Sequence, residues 1–155
     1  MIQINIPKTL LLTSLVLCGF VINTTQAQTQ FYGVSDNQIP YFAMLKGNSD
    51  RSMIVYNPTF CREMPGPCRF FIKHNQAHRQ LNHLILPPTS YSPLTEAVAD
   101  CYAANNGDAQ DVFDTYKLLT QPDKASKYSI PGDLQLRAEK IKACAIKAEN
   151  WVGKF

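Results

Sequence analysis

The residues from 68 to 86 read CRFFIKHNQAHRQLNHLIL, and this stretch decides how the middle of the chain folds. Its apolar residues recur at helical spacing, and the stripe that they form consists of Phe70, Phe71, Ala77, Leu81 and Leu84 or Ile85. The pair Pro87-Pro88 follows directly, and proline cannot continue the hydrogen-bond pattern of a helix. We therefore predict one helix over residues 68–86.

Two histidines, His74 and His78, lie four residues apart on this predicted helix. Residues at this spacing are separated by about 40° around the helix axis, so the two imidazoles share one face and can bind one tetrahedral metal ion. His83 lies five residues after His78, about 140° further round the axis. We predict that His83 is a surface residue, because only a break in the helix would bring it to the same site.

The segments before this helix have the character of β-strands. Residues 31–34, 41–45 and 53–56 are rich in aromatic and β-branched side chains, and Asp, Asn, Gly and Ser separate them. Such short segments between turn-forming residues predict the strands of a small sheet. The N-terminal part of the chain is therefore expected to be β-structure.

Three further helices are predicted after Pro87-Pro88. Ser92 and Pro93 suit the N-cap and the first position of a helix that runs to Ala104. A third helix begins at Asp108 and continues to about residue 121, before a polar loop over residues 122–129. The apolar face of the fourth helix comprises Leu134, Leu136, Ala138, Ile141, Ala145 and Ile146, with Trp151 anchoring the tail. The predicted class is α+β, with a small N-terminal sheet and about four helices.

The first residues of the chain resemble a secretory signal peptide. Lys8 precedes an apolar run over residues 10–22, and a short polar stretch ends at Ala27. The run is shorter than the roughly 20 apolar residues that a membrane-spanning helix needs, so we expect no stable membrane anchor. The prediction is a signal peptide over residues 1–27, one domain over residues 28–155, and a periplasmic or secreted location.

The charge of the chain indicates no polyanionic partner. The formal net charge is +3 at pH 7, and lysine and arginine form no cluster that resembles a phosphate-binding patch. Near the C-terminus the basic residues alternate with Glu139 and Glu149. We expect no nucleic-acid partner, and the sequence leaves the oligomeric state open.

Four cysteines follow the predicted signal peptide, namely Cys61, Cys68, Cys101 and Cys144. An even count in an exported chain favours disulfides, and these four allow three pairings. We favour Cys61 with Cys68, because residues 64–67 (MPGP) turn the chain between them, which leaves Cys101 with Cys144. An alternative is a structural zinc site made of Cys61, Cys68, His74 and His78, but its spacings and an oxidising compartment both disfavour it.

A pair of acidic residues, Glu96 and Asp100, lies one turn apart on the second predicted helix. Glu96 suits the positive end of a helix, whereas aspartate has a poor propensity for a helix interior. The order His74-x-x-x-His78 and then Glu96-x-x-x-Asp100 resembles the gluzincin class of zinc metallopeptidases, over about residues 53–104. The resemblance implies a zincin-like fold, one zinc ion bound by His74, His78 and Glu96, and Asp100 as the residue that fixes an imidazole tautomer.

The resemblance also implies that the strand before the first helix borders a substrate cleft and can pair with an extended peptide. In the H-E-x-x-H pattern of such enzymes, the glutamate takes a proton from the attacking water. This chain has Asn75 at the position of that general base, and an amide cannot accept a proton near pH 7. The same group would have served at both ends of the reaction, so the rate of peptide hydrolysis should fall by at least the upper end of the roughly 10² to 10⁴ that acid–base assistance supplies.

The expected function is therefore that of an exported pseudo-peptidase, which keeps a His-His-Glu zinc site and binds a peptide or protein partner. One alternative is an active zinc-dependent metallohydrolase that uses a base from outside the motif. The other is a disulfide-braced interaction domain without a metal, in which one histidine packs in the core and the other is solvated.

Overall fold

The computed structural model describes residues 30–33, 42–46, 52–83 and 93–154. The predicted signal peptide and the predicted N-cap Ser92 lie outside these residues. Within them the chain forms three strands, β1 (Gln30–Gly33), β2 (Phe42–Lys46) and β3 (Ser52–Tyr56). Six helices follow, namely α1 (Pro58–Glu63), α2 (Pro65–Gln80), α3 (Pro93–Asn106), α4 (Ala109–Leu119), α5 (Pro122–Ser126) and α6 (Leu134–Lys147).

The three strands form one mixed sheet in the order β1-β3-β2. β1 runs parallel to β3, with Phe31 opposite Ile54, and β2 runs antiparallel to β3, with Met44 also opposite Ile54. Ile54 in the central strand is buried and belongs to the hydrophobic core that the helices form. The predicted small N-terminal sheet is therefore confirmed within the described residues.

The helix predicted over residues 68–86 differs from the structure at both ends. α2 begins at Pro65, because proline is well suited to the first turn, where its missing N–H would have no partner in the helix. The helix ends at Gln80, well before the prolines that were expected to stop it. Asn82 then adopts a left-handed conformation with φ of 56°. The chain therefore changes direction directly after α2.

Two short helices were not predicted. α1 starts after Asn57, whose side chain accepts a hydrogen bond from the backbone N–H of Thr59 at 2.9 Å. α5 lies within the segment that was expected to be a polar loop. Both helices begin with proline and have only one buried residue each, so they lack the repeated apolar spacing that indicates a helix.

Four helices enclose the core. α2 packs against α3 and α4, and α6 packs against the same two helices. The largest fully buried apolar side chains are Phe60, Phe70, Phe71, Ile54, Leu119, Ile141 and Val112. The indole of Trp151 contacts Phe113 and Tyr116 edge-on, with ring centroids 5.3 and 5.2 Å apart, so the tail is anchored as predicted.

The buried face of α6 is only partly the predicted one. Ala138, Ile141 and Ala145 are buried, but Leu136 and Ile146 are exposed. Arg137 is buried in their place, because it neutralises a buried carboxylate on α3 that is described below. The expectation that Leu136 and Ile146 belong to the apolar face is therefore wrong.

Two disulfides brace the helices. Cys61–Cys68 joins α1 to α2, and Cys101–Cys144 joins α3 to α6, which confirms both preferred pairings. The alternative zinc site is wrong, because the sulfurs of Cys61 and Cys68 are bonded to each other. The class is α+β and disulfide-braced. Among the described helices, none has the length and apolar character needed to cross a bilayer.

Candidate metal site

Three side chains from α2 and α3 converge on one point. Nε2 of His74 lies 3.0 Å from Nε2 of His78, and the two nitrogens lie 3.3 and 3.2 Å from the carboxylate oxygens of Glu96. Ligands about 2.0–2.1 Å from a tetrahedral zinc ion are about 3.3 Å from one another. The separation of the two nitrogens is close to that value, but the contacts with Glu96 involve its two different oxygens, Oε2 with His74 and Oε1 with His78. One ligand atom from each residue lies within 4.8 Å of the others, so the group could hold a metal ion.

The sequence produces this convergence through two adjacent helices. His74 and His78 occupy one face of α2, one turn apart, and both are buried. Glu96 stands in the first turn of α3, which packs against α2. Small residues on the two helices, among them Ala77 and Ala99, are fully buried and permit a close approach. The predicted set of His74, His78 and Glu96 is thus brought together.

The charge state of Glu96 suits a metal ligand. Burial opposes ionisation of this side chain, but its contacts with His74 and His78 outweigh burial and hold the pKa of the carboxyl well below its usual range. Glu96 is therefore a carboxylate at neutral pH. Its side chain is also 28% exposed, whereas both histidines are almost completely covered, so the site opens to solvent on the side of α3.

Asp100 lies behind His74, at the position that the sequence predicted. Its Oδ1 atom is 2.8 Å from Nδ1 of His74, on the side of the ring opposite to Nε2. Burial lowers the pKa of His74, but the contacts with Asp100 and Glu96 raise it by more than burial lowers it. The pKa of His74 therefore lies above its usual value. A carboxylate in this position orients the imidazole and favours the tautomer with its proton on Nδ1.

Arg137 is a residue of the site that sequence reasoning missed. It donates hydrogen bonds from Nε and Nη2 to the two oxygens of Asp100, and from Nη1 to the carbonyl of Pro131 at 3.0 Å. Burial opposes ionisation of Asp100, but Arg137 and His74 outweigh it and lower the pKa of the carboxyl. A signal was present, since Arg137 occupies helical spacing on the apolar face, three residues after Leu134 and four before Ile141.

His83 contacts the site, and the prediction that it is a surface residue unconnected with the site is wrong. Its Nδ1 atom lies 3.1 Å from Nδ1 of His78, and the side chain is half-buried. α2 ends before His83, and the reversal at Asn82 returns the imidazole to the ring of His78. Burial, and secondarily the neighbouring His78, lower the pKa of His83, which favours its neutral form.

Asn75 follows His74 in the sequence, and its side chain is buried. Its Nδ2 atom donates a hydrogen bond to the carbonyl of Phe71 at 2.7 Å, one turn earlier on α2. The side chain is therefore held by the backbone of its own helix. It contains no group that accepts a proton near neutral pH.

A cavity of about 640 Å³ lies next to the three-residue group, between α3 and the start of α6. Glu96 and Asp100 contribute to its wall, together with apolar side chains that include Leu94, Ala97 and Leu136. Leu94 is 69% exposed and Leu136 is 52% exposed. A ligand that covers these apolar side chains removes them from water, which lowers the free energy of binding.

Comparison with known proteins adds no further assignment. The chain matches no protein-family model, no curated protein and no solved structure. The functional interpretation therefore depends on the distances, burial and charges of the site itself.

Proposed function

We propose that the chain is an exported zinc-binding protein of gluzincin-like architecture, which binds a peptide or protein segment without cleaving it efficiently. The observation that carries this proposal is the convergence of His74, His78 and Glu96, which each offer one ligand atom within 4.8 Å of the others. Two one-turn pairs on adjacent helices, His74 with His78 and Glu96 with Asp100, supply all the side chains that the gluzincin resemblance requires for the metal.

The donor atoms favour zinc over hard cations. Two imidazole nitrogens and one carboxylate oxygen are a donor set that zinc accepts in tetrahedral geometry, whereas calcium and magnesium prefer oxygen ligands. His74 and His78 would bind the ion through Nε2, and Glu96 through a carboxylate oxygen. When bound, zinc supplies Lewis-acid polarisation of an oxygen that approaches it.

Within the described part of the chain, neither Asn75 nor Asp100 is suited to act as the general base. Asn75 cannot accept a proton, and its amide is bound to the carbonyl of Phe71. Asp100 is held by two hydrogen bonds from Arg137, and its lowered pKa makes it a poor base. These contacts favour binding over hydrolysis, and they disfavour the alternative of an active metallohydrolase.

The cavity beside Glu96 supports a role in binding. A peptide that places an apolar side chain between Leu94 and Leu136 would cover both, while its backbone lies next to the open side of the site.

Export is supported by the two disulfides, which are typical of oxidising compartments such as the periplasm or the extracellular space.

Metal titration of protein purified without an affinity tag tests the proposal. We expect the metal-stripped chain to bind one zinc ion, and Glu96→Gln to weaken binding by at least about 100-fold, the upper end of what outer-sphere changes alone cost. Glu139→Gln is the matched control, because Glu139 is an exposed glutamate on α6 that pairs with Gln135. Less than one ion per chain would favour the metal-free interaction domain, and equal affinity in both variants would exclude Glu96 as a ligand.

A further inference from the structure

The geometry points to His83 as a positioning residue of the metal site. It accepts a hydrogen bond from Nδ1–H of His78 and so directs Nε2 of His78 towards His74 and Glu96. This inference rests on the proposed function, because it concerns how the zinc ligands are oriented. The distance that supports it is the 3.1 Å between the two Nδ1 atoms, with the rings inclined at 66° and their centroids 5.1 Å apart.

The two nitrogens of His78 have different tasks in this arrangement. Nε2 faces Nε2 of His74 and the carboxylate of Glu96, so it is the nitrogen available to a metal ion. A neutral imidazole that binds a metal through Nε2 carries its proton on Nδ1. That proton requires an acceptor, and the neutral His83 ring offers a lone pair on Nδ1 when its own proton is on Nε2.

The arrangement gives each ligand histidine an outer partner of its own. Asp100 lies behind His74 and His83 lies behind His78, and both contact the Nδ1 side of the ring. Outer partners of this kind fix the tautomer and the orientation of a metal-binding histidine. A neutral acceptor at His83 also adds no further negative charge next to Glu96 and Asp100.

The backbone conformation after α2 places His83 next to His78. On a continuous helix the side chain of residue 83 would lie about 140° away from that of His78. Instead the helix ends at Gln80, and Asn82 adopts φ of 56°, a conformation that few residues other than glycine, asparagine and aspartate favour. This reversal returns the imidazole of His83 to His78.

A pair of substitutions of matched shape tests the inference. His83→Asn keeps an acceptor, because the amide oxygen of asparagine occupies nearly the place of Nδ1, whereas His83→Leu keeps the branching and removes the acceptor. We expect His83→Leu to weaken zinc affinity by about 10- to 100-fold, as the loss of an outer partner does, and His83→Asn to retain most of the native affinity. Competition with a chromogenic chelator measures both.

Nitrogen NMR of the zinc-loaded native protein provides a second readout. With ¹⁵N-labelled histidine, we expect Nδ1 of His78 to be protonated and Nδ1 of His83 to be unprotonated. This measurement decides the inference even if His83→Leu fails to fold. A protonated Nδ1 on His83, an unchanged zinc affinity in His83→Leu, or an equal loss in both variants would overturn it.

Zinc binding by the native chain and zinc binding by His83→Leu test two different claims. If the native chain binds no zinc, the proposed function is wrong and the orientation of His78 has no metal to serve. If the native chain binds zinc and His83→Leu binds it equally well, the metal site stands and only the role of His83 is rejected.

Discussion

Arg137 on α6 donates a hydrogen bond to each carboxylate oxygen of Asp100 on α3, from Nε to Oδ2 and from Nη2 to Oδ1, and both distances are 2.8 Å. Asp100 is fully buried, so its charge is compensated almost entirely by protein groups. The same Oδ1 atom lies 2.8 Å from Nδ1 of His74. This buried pair therefore connects the last long helix to the candidate metal site.

We predict that Arg137→Leu strongly destabilises the metal-free protein. Removal of one partner leaves the buried carboxylate of Asp100 without its cation, and such losses cost about 3–5 kcal/mol in the free energy of unfolding. Urea unfolding followed by circular dichroism measures the change.

Arg69→Leu provides the matched control for Arg137→Leu. Arg69 also donates from Nε and Nη2 to one aspartate, Asp111, but its side chain is 63% exposed. The side chain of Asp111 is only 6% exposed, so the loss should exceed the roughly 1 kcal/mol of a fully exposed pair. It should still be smaller than the loss in Arg137→Leu, because water already reaches the guanidinium side of the Arg69 pair. Equal losses in the two variants would show that the burial of Arg137 has no special importance.

The disulfide between Cys101 and Cys144 should stabilise the fold more than the one between Cys61 and Cys68. The two bridges span sequence separations of 43 and 7 residues, and a longer loop loses more entropy in the unfolded chain when it is closed. The expected losses on double substitution by alanine are about 4 and 2.5 kcal/mol. Unfolding of the two double variants measures them, and a larger loss from the short loop would contradict the prediction.

The combined contribution of Asp100 and His74 to the stability of the metal-free protein should be largest between about pH 4 and pH 6.5. The folded state lowers the pKa of Asp100, so the stabilisation from its carboxylate is complete above the unfolded value of about 3.9 and decreases as the pH falls below it. The folded state raises the pKa of His74, so its contribution is complete below about pH 6.5 and is lost as the pH rises through the folded value.

Urea unfolding across this pH range measures both slopes, and added zinc is the control. Zinc binds the neutral imidazole of His74, so we expect the zinc-loaded protein to lose the decrease on the alkaline side. A metal-free protein whose stability stays constant from pH 6 to pH 9 would contradict the raised pKa of His74.

Asn75→Glu should introduce peptidase activity. The new carboxylate would occupy the position of the general base in the H-E-x-x-H pattern, and acid–base assistance is worth roughly 10² to 10⁴ in rate. Cleavage of an unfolded protein substrate, with and without a chelator, measures the gain.

Asn75→Gln separates the base from the length of the side chain. Glutamine has the shape of glutamate but no group that accepts a proton near pH 7, so we expect no gain in this variant. No gain in Asn75→Glu over the native protein would contradict a peptidase-type cleft at this site.

The central part of the site could be predicted from the sequence because it depends on local spacing. Residues four apart share a helix face, so His74 with His78 and Glu96 with Asp100 form pairs without any knowledge of the rest of the fold. The Cys61–Cys68 bridge also follows from a local turn. The expectation that the two helices lie side by side came from the resemblance to gluzincins, and in the structure Glu96 contacts both histidines.

The parts that could not be predicted depend on tertiary contacts or on a single backbone angle. Arg137 reaches Asp100 across 37 positions of sequence, and only the packing of α6 on α3 brings the two together. His83 contacts His78 because Asn82 adopts a positive φ, and helical periodicity gives no sign of that reversal. The short α1 and α5 bury too few apolar residues to show a pattern.

X-ray absorption at the zinc edge tests the central claim most directly. For the zinc-loaded native chain we expect one zinc ion with two imidazole nitrogens and a carboxylate oxygen at about 2.0–2.2 Å, and the loss of one imidazole in His74→Ala. A zinc environment without two imidazoles, or one that is the same in His74→Ala as in the native chain, would contradict a metal site formed by His74, His78 and Glu96.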